Sequence, residues 1–261
     1  MKNYHTHTFR CNHADGDVLD YAQAALNKGF TLLGITDHTP LPDDRWLHLR
    51  MAVSELPAYA GAIDQAQAKS PDLTILKGAE CEWAPEYHSF FREVLLGEHG
   101  FDYLILGCHF FPFQGSWLSS HGNLADPKHL VAYTDYLVES MRSGLFAFVA
   151  HPDLFGLSYA EWDKNTMAAS TDILQAAEVL DLPLEINGYG MTKRVIQTSQ
   201  GLRTAYPWRS FWELAREYNV KVVVNSDAHR PDYVDLGFRE GHNMVKDLGL
   251  TLANLDYLEG R

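Results

Sequence analysis

A chain of 261 residues, 46% hydrophobic and 21% charged, has ordinary globular composition and room for one α/β barrel or two small domains. No run of about 18 apolar residues is present, which argues against a membrane span, and Met1-Lys2-Asn3-Tyr4-His5 lacks the apolar stretch of a secretory leader. The net charge of −13 disfavours a nucleic-acid partner, although acidic residues that ligate cations would neutralise part of it.

Short apolar runs alternate with longer amphipathic ones. A first strand is expected around Asn3-Tyr4, then a helix from Val18 to Asn27 with Asp15 or Asp17 as N-cap and Gly29 as its stop. The second strand is Leu32 to Thr36, followed by a helix from Ser54 to Ala68. The third is Leu73 to Lys77 and the fourth Tyr103 to Gly107. A helix from Lys128 to Ser143 ends at Gly144, ahead of a fifth strand from Phe146 to Ala150. Helix Ala168 to Leu180, strand Leu184 to Ile186, helix Ser210 to Tyr218 and strand Lys221 to Asn225 complete the pattern. Near-continuous apolar character suits parallel strands covered on both faces. No repeat, low-complexity segment or Gly/Ser linker interrupts the chain, so residues 1–261 read as one domain.

The polar residues choose between an open sheet and a closed barrel. His5 and His7 follow the first strand, Asp37-His38 the second, Glu80 the third, His109 the fourth and His151 the fifth, while Asp227 and His229 follow the last. In a barrel those C-terminal strand ends face one mouth, where such enzymes carry their chemistry. Imidazole and carboxylate together select transition metals over calcium, and His5-x-His7 puts two side chains on one face of a strand. Any one of these residues alone is as well explained by a local hydrogen bond, a turn or a helix cap. Their recurrence at the same end of successive strands is not. His48, His88, His99, His121 and His129 lack that placement and are assigned to surface or core. The cysteines Cys11, Cys81 and Cys108 are odd in number and lack C-x-x-C spacing, which fits a reducing cytoplasm, and Cys81 and Cys108 are expected to pack as buried apolar groups.

The segments His5-Thr6-His7-Thr8, Gly34-Ile35-Thr36-Asp37-His38, Gly78-Ala79-Glu80, Gly107-Cys108-His109, Ala150-His151-Pro152-Asp153 and Asn225-Ser226-Asp227-Ala228-His229 resemble the polymerase-and-histidinol-phosphatase (PHP) superfamily. Cys11-x-His13-Ala14, the chain length, and Asn187-Gly188-Tyr189-Gly190 with Lys193 and Arg194 beyond it are most similar to its stand-alone L-histidinol phosphate phosphatases. The resemblance implies a distorted seven-stranded (β/α)7 TIM-like barrel. It also implies three divalent transition-metal ions (zinc, manganese or iron). The first would be held by His5, His7, Glu80 and Asp227. Glu80 would bridge to the second, with His109 and His151. His13, His38 and His229 would hold the third, with His13 preferred over Asp15 and Asp15 read as the helix cap.

Such a site suits hydrolysis of a small phosphomonoester by a metal-bridging hydroxide. Arg194 is the expected phosphate contact, because guanidinium matches phosphate bidentately, with Asp227, His229 and His38 in acid–base roles. Phe111, Phe113, Trp117 and Tyr189 are candidates for lining the pocket. The alternatives are a PHP-type phosphodiesterase or exonuclease, a non-catalytic metal-binding barrel, and an amidohydrolase, for which Lys77 is poorly placed as the bridging lysine.

Overall fold

The computed structural model describes residues 1–259, which form two compact units. One comprises Met1–Ile105, Asn225–Phe238 and the segment from Asn254 onward; the other comprises Leu106–Val224 and Arg239–Ala253.

In the first unit, strands β1 (Lys2–Asn3), β2 (Leu32–Ile35), β3 (Thr74–Cys81) and β4 (Tyr103–Leu106) form one sheet in that order. β1 pairs in parallel with β2, and β2 with β3 from Leu32 opposite Thr74 to Ile35 opposite Lys77. Every residue of β2 and β4 is buried, as strands covered on both faces require. Gly34 is forced by a close crossing: a Cβ there would lie 1.9 Å from the Tyr103 hydroxyl, which donates to the Tyr4 carbonyl at 2.6 Å. Helix α1 (Val18–Asn27) follows β1 and α2 (Leu56–Lys69) follows β2. The cap of α1 is Asp17, in a reciprocal capping box with Asp20, and Gly29 follows the helix at φ 76°. Asp15 is therefore not the cap. An N-cap must directly precede the first helical residue, and the exposed Asp15 carboxylate lies 4.0 Å from Arg230 Nε instead. A nine-residue π-helical segment, Phe90–Glu98, precedes β4 and was not foreseen.

The second unit holds the hairpin β5 (Phe110–Phe113) and β6 (Ser116–Ser119), strand β7 (Leu184–Asn187), a second hairpin β8 (Ile196–Thr198) and β9 (Gly201–Arg203), and strands β10 (Lys221–Asn225) and β11 (Thr251–Leu252). β11, β10 and β7 form a sheet in that order, β10 and β11 being parallel. The expected strand Phe146 to Ala150 contracts to a single bridging residue. Val149 pairs in parallel with Leu106 and with Leu184, because β4 ends at Leu106 and β7 begins at Leu184, so the neighbours overlap it at one position. The helices are α3 (Ser120–Asn123), α4 (Pro127–Met141), α5 (Lys164–Leu180), α6 (Arg209–Ala215) and α7 (Phe238–Leu248). α5 starts before the expected Ala168 because Asp163 caps it in a box with Thr166. The two hairpins and β11 are short and carry no strong periodic signal, whereas α7 is strongly amphipathic and lies outside the expected elements all the same. Among the described residues no helix is long and apolar enough to cross a membrane, and the three cysteines are buried thiols.

Candidate metal centre

The first unit brings seven of the nine expected ligands into one polar cluster. Backbone pairing sets their positions. Thr6 bridges Ala228 in parallel, with the His7 N–H donating to the Ala228 carbonyl at 2.9 Å, and His38 bridges Glu80 in parallel. Two buried asparagines fix the register. Asn3 Nδ2 donates to Ser226 Oγ (2.7 Å) and the Val234 carbonyl (2.9 Å), and Asn225 Oδ1 accepts from the Tyr4 N–H (2.8 Å). Strand alternation turns His5 and His7 to one face and Thr6 to the other, where its hydroxyl donates to the Gly34 carbonyl.

His5 Nε2 and His7 Nε2 are 3.0 Å apart. Asp227 Oδ1 lies 3.4 and 3.1 Å from them, and Glu80 Oε2 lies 3.6 and 3.4 Å from them and 3.1 Å from His38 Nδ1. With ion–nitrogen bonds of about 2.0–2.1 Å, two ligand nitrogens sit roughly 3.0 Å apart at a right angle and roughly 3.4 Å at the tetrahedral angle. The observed separations fall in that range except His5 to Glu80, which at 3.6 Å is slightly wider. His5 and His7 are fully buried, and Glu80, Asp227, His38 and His229 nearly so. Burial pushes the Asp227 carboxyl up, but the charge of His5, the hydrogen bond from His7 and the charge of His229 hold it well below the usual range. Burial pulls His7 down, yet the hydrogen bonds to Asp227 and Cys11 and the charges of Asp227 and Glu80 raise it to about 10. A cation binding at His7 must therefore displace a proton.

His13 and His229 supply the sharpest test of fit. Nδ1 of His13 lies 2.6 Å from the Cys11 carbonyl, and Nδ1 of His229 lies 3.0 Å from the Asp227 carbonyl. A carbonyl oxygen only accepts, so both Nδ1 atoms carry a proton, and each ring in its neutral form presents its lone pair at Nε2. Those two Nε2 atoms face each other at 3.1 Å. Two lone pairs at that distance repel unless a proton or a metal ion lies between them, and a backbone carbonyl on the remote nitrogen is the usual support of a metal-ligating imidazole. Burial and the charge of His7 hold His229 well below its ordinary pKa, in keeping with the neutral form. Transition metals thus fit this donor set. His13, not Asp15, meets His229.

In the second unit His109 Nε2 and His151 Nε2 are 3.1 Å apart. The His151 N–H donates to Glu185 Oε2 at 3.0 Å, and Asn187 Nδ2 donates to the same oxygen at 2.7 Å. His151 (φ 32°) and, in the first unit, Asp227 (φ 52°) adopt left-handed backbone, a conformation that costs a non-glycine residue about 1 kcal/mol or more. Arg194 is exposed, with Nη2 3.3 Å from the Leu157 carbonyl.

The proposed pocket aromatics are mostly packing groups. Phe111 is fully buried edge-on to Tyr133, Trp117 meets Tyr136 at 5.5 Å and Phe113 meets His129 at 4.5 Å, because the hairpin that carries them folds over α4. Tyr189 lies under the Lys193 ammonium at 3.7 Å. Cys81 pairs with Thr39 Oγ1 at 2.8 Å and Cys108 reaches the Phe110 carbonyl, as buried packing groups do.

Several residues outside the expected ligand set support the site. Cys11 sits within reach of His13 and His229; the Cys11-Asn12-His13 spacing was its only signal. Asp37 accepts from the Thr8 N–H and hydroxyl, both at 2.7 Å, which fixes the turn after His7, and burial pushes its carboxyl up to about 6 against the charge of His7 and the Thr8 bonds. Glu185, a charge inside an apolar run, was the visible clue to the brace on His151. Glu82 is ion-paired at 2.7 Å to Arg50, both buried. Asp153 accepts from the Trp208 N–H and Trp212 Nε1, and its burial raises it to about 7.

A PHP domain family model matches residues 3–188, well over half of the chain, and the chain belongs to that family. A "Probable histidinol-phosphatase" of Deinococcus radiodurans is 32% identical over 263 residues, covering 94% of this chain and 92% of that protein. Two solved structures share the fold. One, from Listeria monocytogenes and provisionally named a histidinol phosphatase, superposes with a TM-score of 0.74 at 23% identity, covering 92% of this chain and 99% of that one. The other, a histidinol phosphate phosphatase from Lactococcus lactis complexed with Zn, L-histidinol and phosphate, gives 0.72 at 16% identity, covering 97% and 95%.

Proposed function

We propose that this chain is a metal-dependent phosphomonoesterase that hydrolyses L-histidinol phosphate to L-histidinol and phosphate. The opposed Nε2 lone pairs of His13 and His229, set beside a buried His–Asp–Glu cluster, carry the metal requirement. The relatives supply the substrate: one bears the matching name and another was solved with Zn, L-histidinol and phosphate. His5, His7, Glu80 and Asp227 are assigned to one divalent ion and His13, His38 and His229 to another. The His109–His151 pair is assigned to a further one, with zinc, manganese or iron as the occupants. The seven-strand count belongs to the same proposal.

Bound ions would supply Lewis acidity toward phosphate oxygens and lower the pKa of a nearby water. The protein groups do the rest. Asp227, held ionised, accepts a proton and His38 passes one toward the leaving alkoxide oxygen, while His229, neutral with Nδ1 on the Asp227 carbonyl and Nε2 turned to the ion, orients the site. Arg194, exposed and charged, reaches the phosphate. The net charge of −13 favours this small substrate over a polyanionic nucleic acid.

Phosphate release is measured from L-histidinol phosphate, a panel of small phosphomonoesters and a nucleotide diester, using metal-loaded protein and a chelated control. Chelator-sensitive turnover confined to L-histidinol phosphate is expected. Cleavage of the diester instead would overturn the substrate and keep the metal chemistry; no turnover by demonstrably metal-loaded protein would overturn both.

A further inference from the structure

His121 has no place in the ligand set, yet its position is closely built. Its exposed ring stacks on that of His109 with centroids 5.6 Å apart and planes within 13°. The chain leaves His109 through the β5–β6 hairpin and returns at Ser120, which is fully buried. There the Ser120 N–H donates to the His109 carbonyl at 2.8 Å, and the Ser120 hydroxyl donates to the Cys108 carbonyl at 2.8 Å. The residue before His121 is thus tied to the backbone of the residue whose ring His121 covers. The far side of the turn is pinned as well. The His121 N–H donates to Ser119 Oγ at 3.2 Å, Asn123 Nδ2 donates to the Ser119 carbonyl at 2.8 Å, and His129 Nδ1 lies 2.9 Å from the Asn123 carbonyl.

With its backbone fixed on both sides, His121 has only its two side-chain torsions left, and an offset stack uses them to restrict rotation of the His109 ring. His109 needs that restraint, because it is only partly buried and its Nε2 must stay aimed at the same point as His151 Nε2, 3.1 Å away. The His151 ring instead meets the Tyr206 ring with centroids 6.1 Å apart, and its backbone N–H is held by Glu185. Imidazole suits the outer position, since it offers a flat stacking face while its polar edge tolerates water.

We infer that His121 is a positioning residue for His109: the stack holds the His109 ring in its ligating orientation and so tightens divalent-ion binding at the His109–His151 pair. This rests on the reading of those two residues as ligands. The test is zinc affinity by chelator competition on the full chain, for wild type, H121A, H121F, H109A and H109A/H121A, with thermal midpoints confirming that each variant is folded. H109A is expected to weaken one class of zinc, which identifies the site. H121A should weaken the same class by about 10-fold, the scale of losing a support behind a metal ligand. H121F should restore it, because a phenyl ring stacks but offers no nitrogen. H121A should cost nothing further in the H109A background. Three results overturn the inference: unchanged affinity in H121A, H121F as weak as H121A, or an H121A loss that persists without His109. Zinc binding indifferent to H109A would instead overturn the ligand reading itself.

Discussion

Arg50 and Glu82 are both nearly fully buried, with Nη2 and Oε2 2.7 Å apart, and Arg50 Nη1 donates to the Thr39 carbonyl at 2.9 Å. They hold Thr39, next to His38, and the chain just past Glu80, so the perturbation to make is R50M, which keeps most of the side-chain length and removes the charge. At 2.7 Å and an effective dielectric of 20 the gross attraction is about 6 kcal/mol. Desolvation offsets much of it, but removing one partner leaves the other buried and uncompensated, which costs about 3–5 kcal/mol. For a chain of this size each kcal/mol shifts the midpoint by about 2–4 °C, so R50M and E82Q should each lower it by roughly 6–20 °C. The double variant R50M/E82L should recover most of that loss, because no buried charge remains unpaired. Thermal and urea unfolding at one fixed free-zinc concentration measures all three, since bound metal adds stability by mass action. Single losses under about 1 kcal/mol, or losses that simply add in the double variant, would refute the reasoning.

H13A should remove about one equivalent of bound metal, measured by metal analysis after dialysis; full retention would show that the opposed Nε2 pair is not a metal site. R194A should raise KM for L-histidinol phosphate roughly 10-fold or more through loss of a charged hydrogen bond, with R194K recovering part, and an unchanged KM removes Arg194 from the phosphate. D163A should cost about 1 kcal/mol as a lost N-cap of α5 while D163N costs little. Hydrogen bonds at the cap outweigh burial and depress the Asp163 carboxyl, so its contribution is present above the unfolded pKa near 4 and is lost as pH falls through the lower folded value. The gap between wild type and D163A in urea melts should therefore close in acid; a gap that widens there contradicts the assignment. G190A would put a Cβ 2.2 Å from the Tyr206 ring and 2.4 Å from its carbonyl, so it should destabilise by about 1–3 kcal/mol. Because the Tyr206 ring meets that of His151, zinc affinity at the His109–His151 pair should fall too, and a melt and chelator titration matching wild type would show that the site yields freely.

The residue types and their strand-end placement were legible in the sequence, because strand periodicity and turn chemistry are local. Continuous apolar runs gave β2, β4 and β10, and α1 is found at Val18–Asn27 as its periodicity predicts. His-x-His spacing implied two side chains on one face, and His5 and His7 do converge at 3.0 Å. Other features depend on groups far apart in the chain. Whether His13 or Asp15 enters the cluster was decided by a partner 216 positions away, His229, and by carbonyls that fix both ring tautomers. The fifth strand shrank to Val149 because its neighbours overlap it at one residue. Arg50 finding Glu82 and His121 returning onto His109 likewise depend on how loops close. The sequence by itself determined which chemistry is available, since that is a matter of residue type and short spacing. Only the tertiary structure decided which donors face one another, because that requires register across strands and loops that close segments far apart in the chain onto one another.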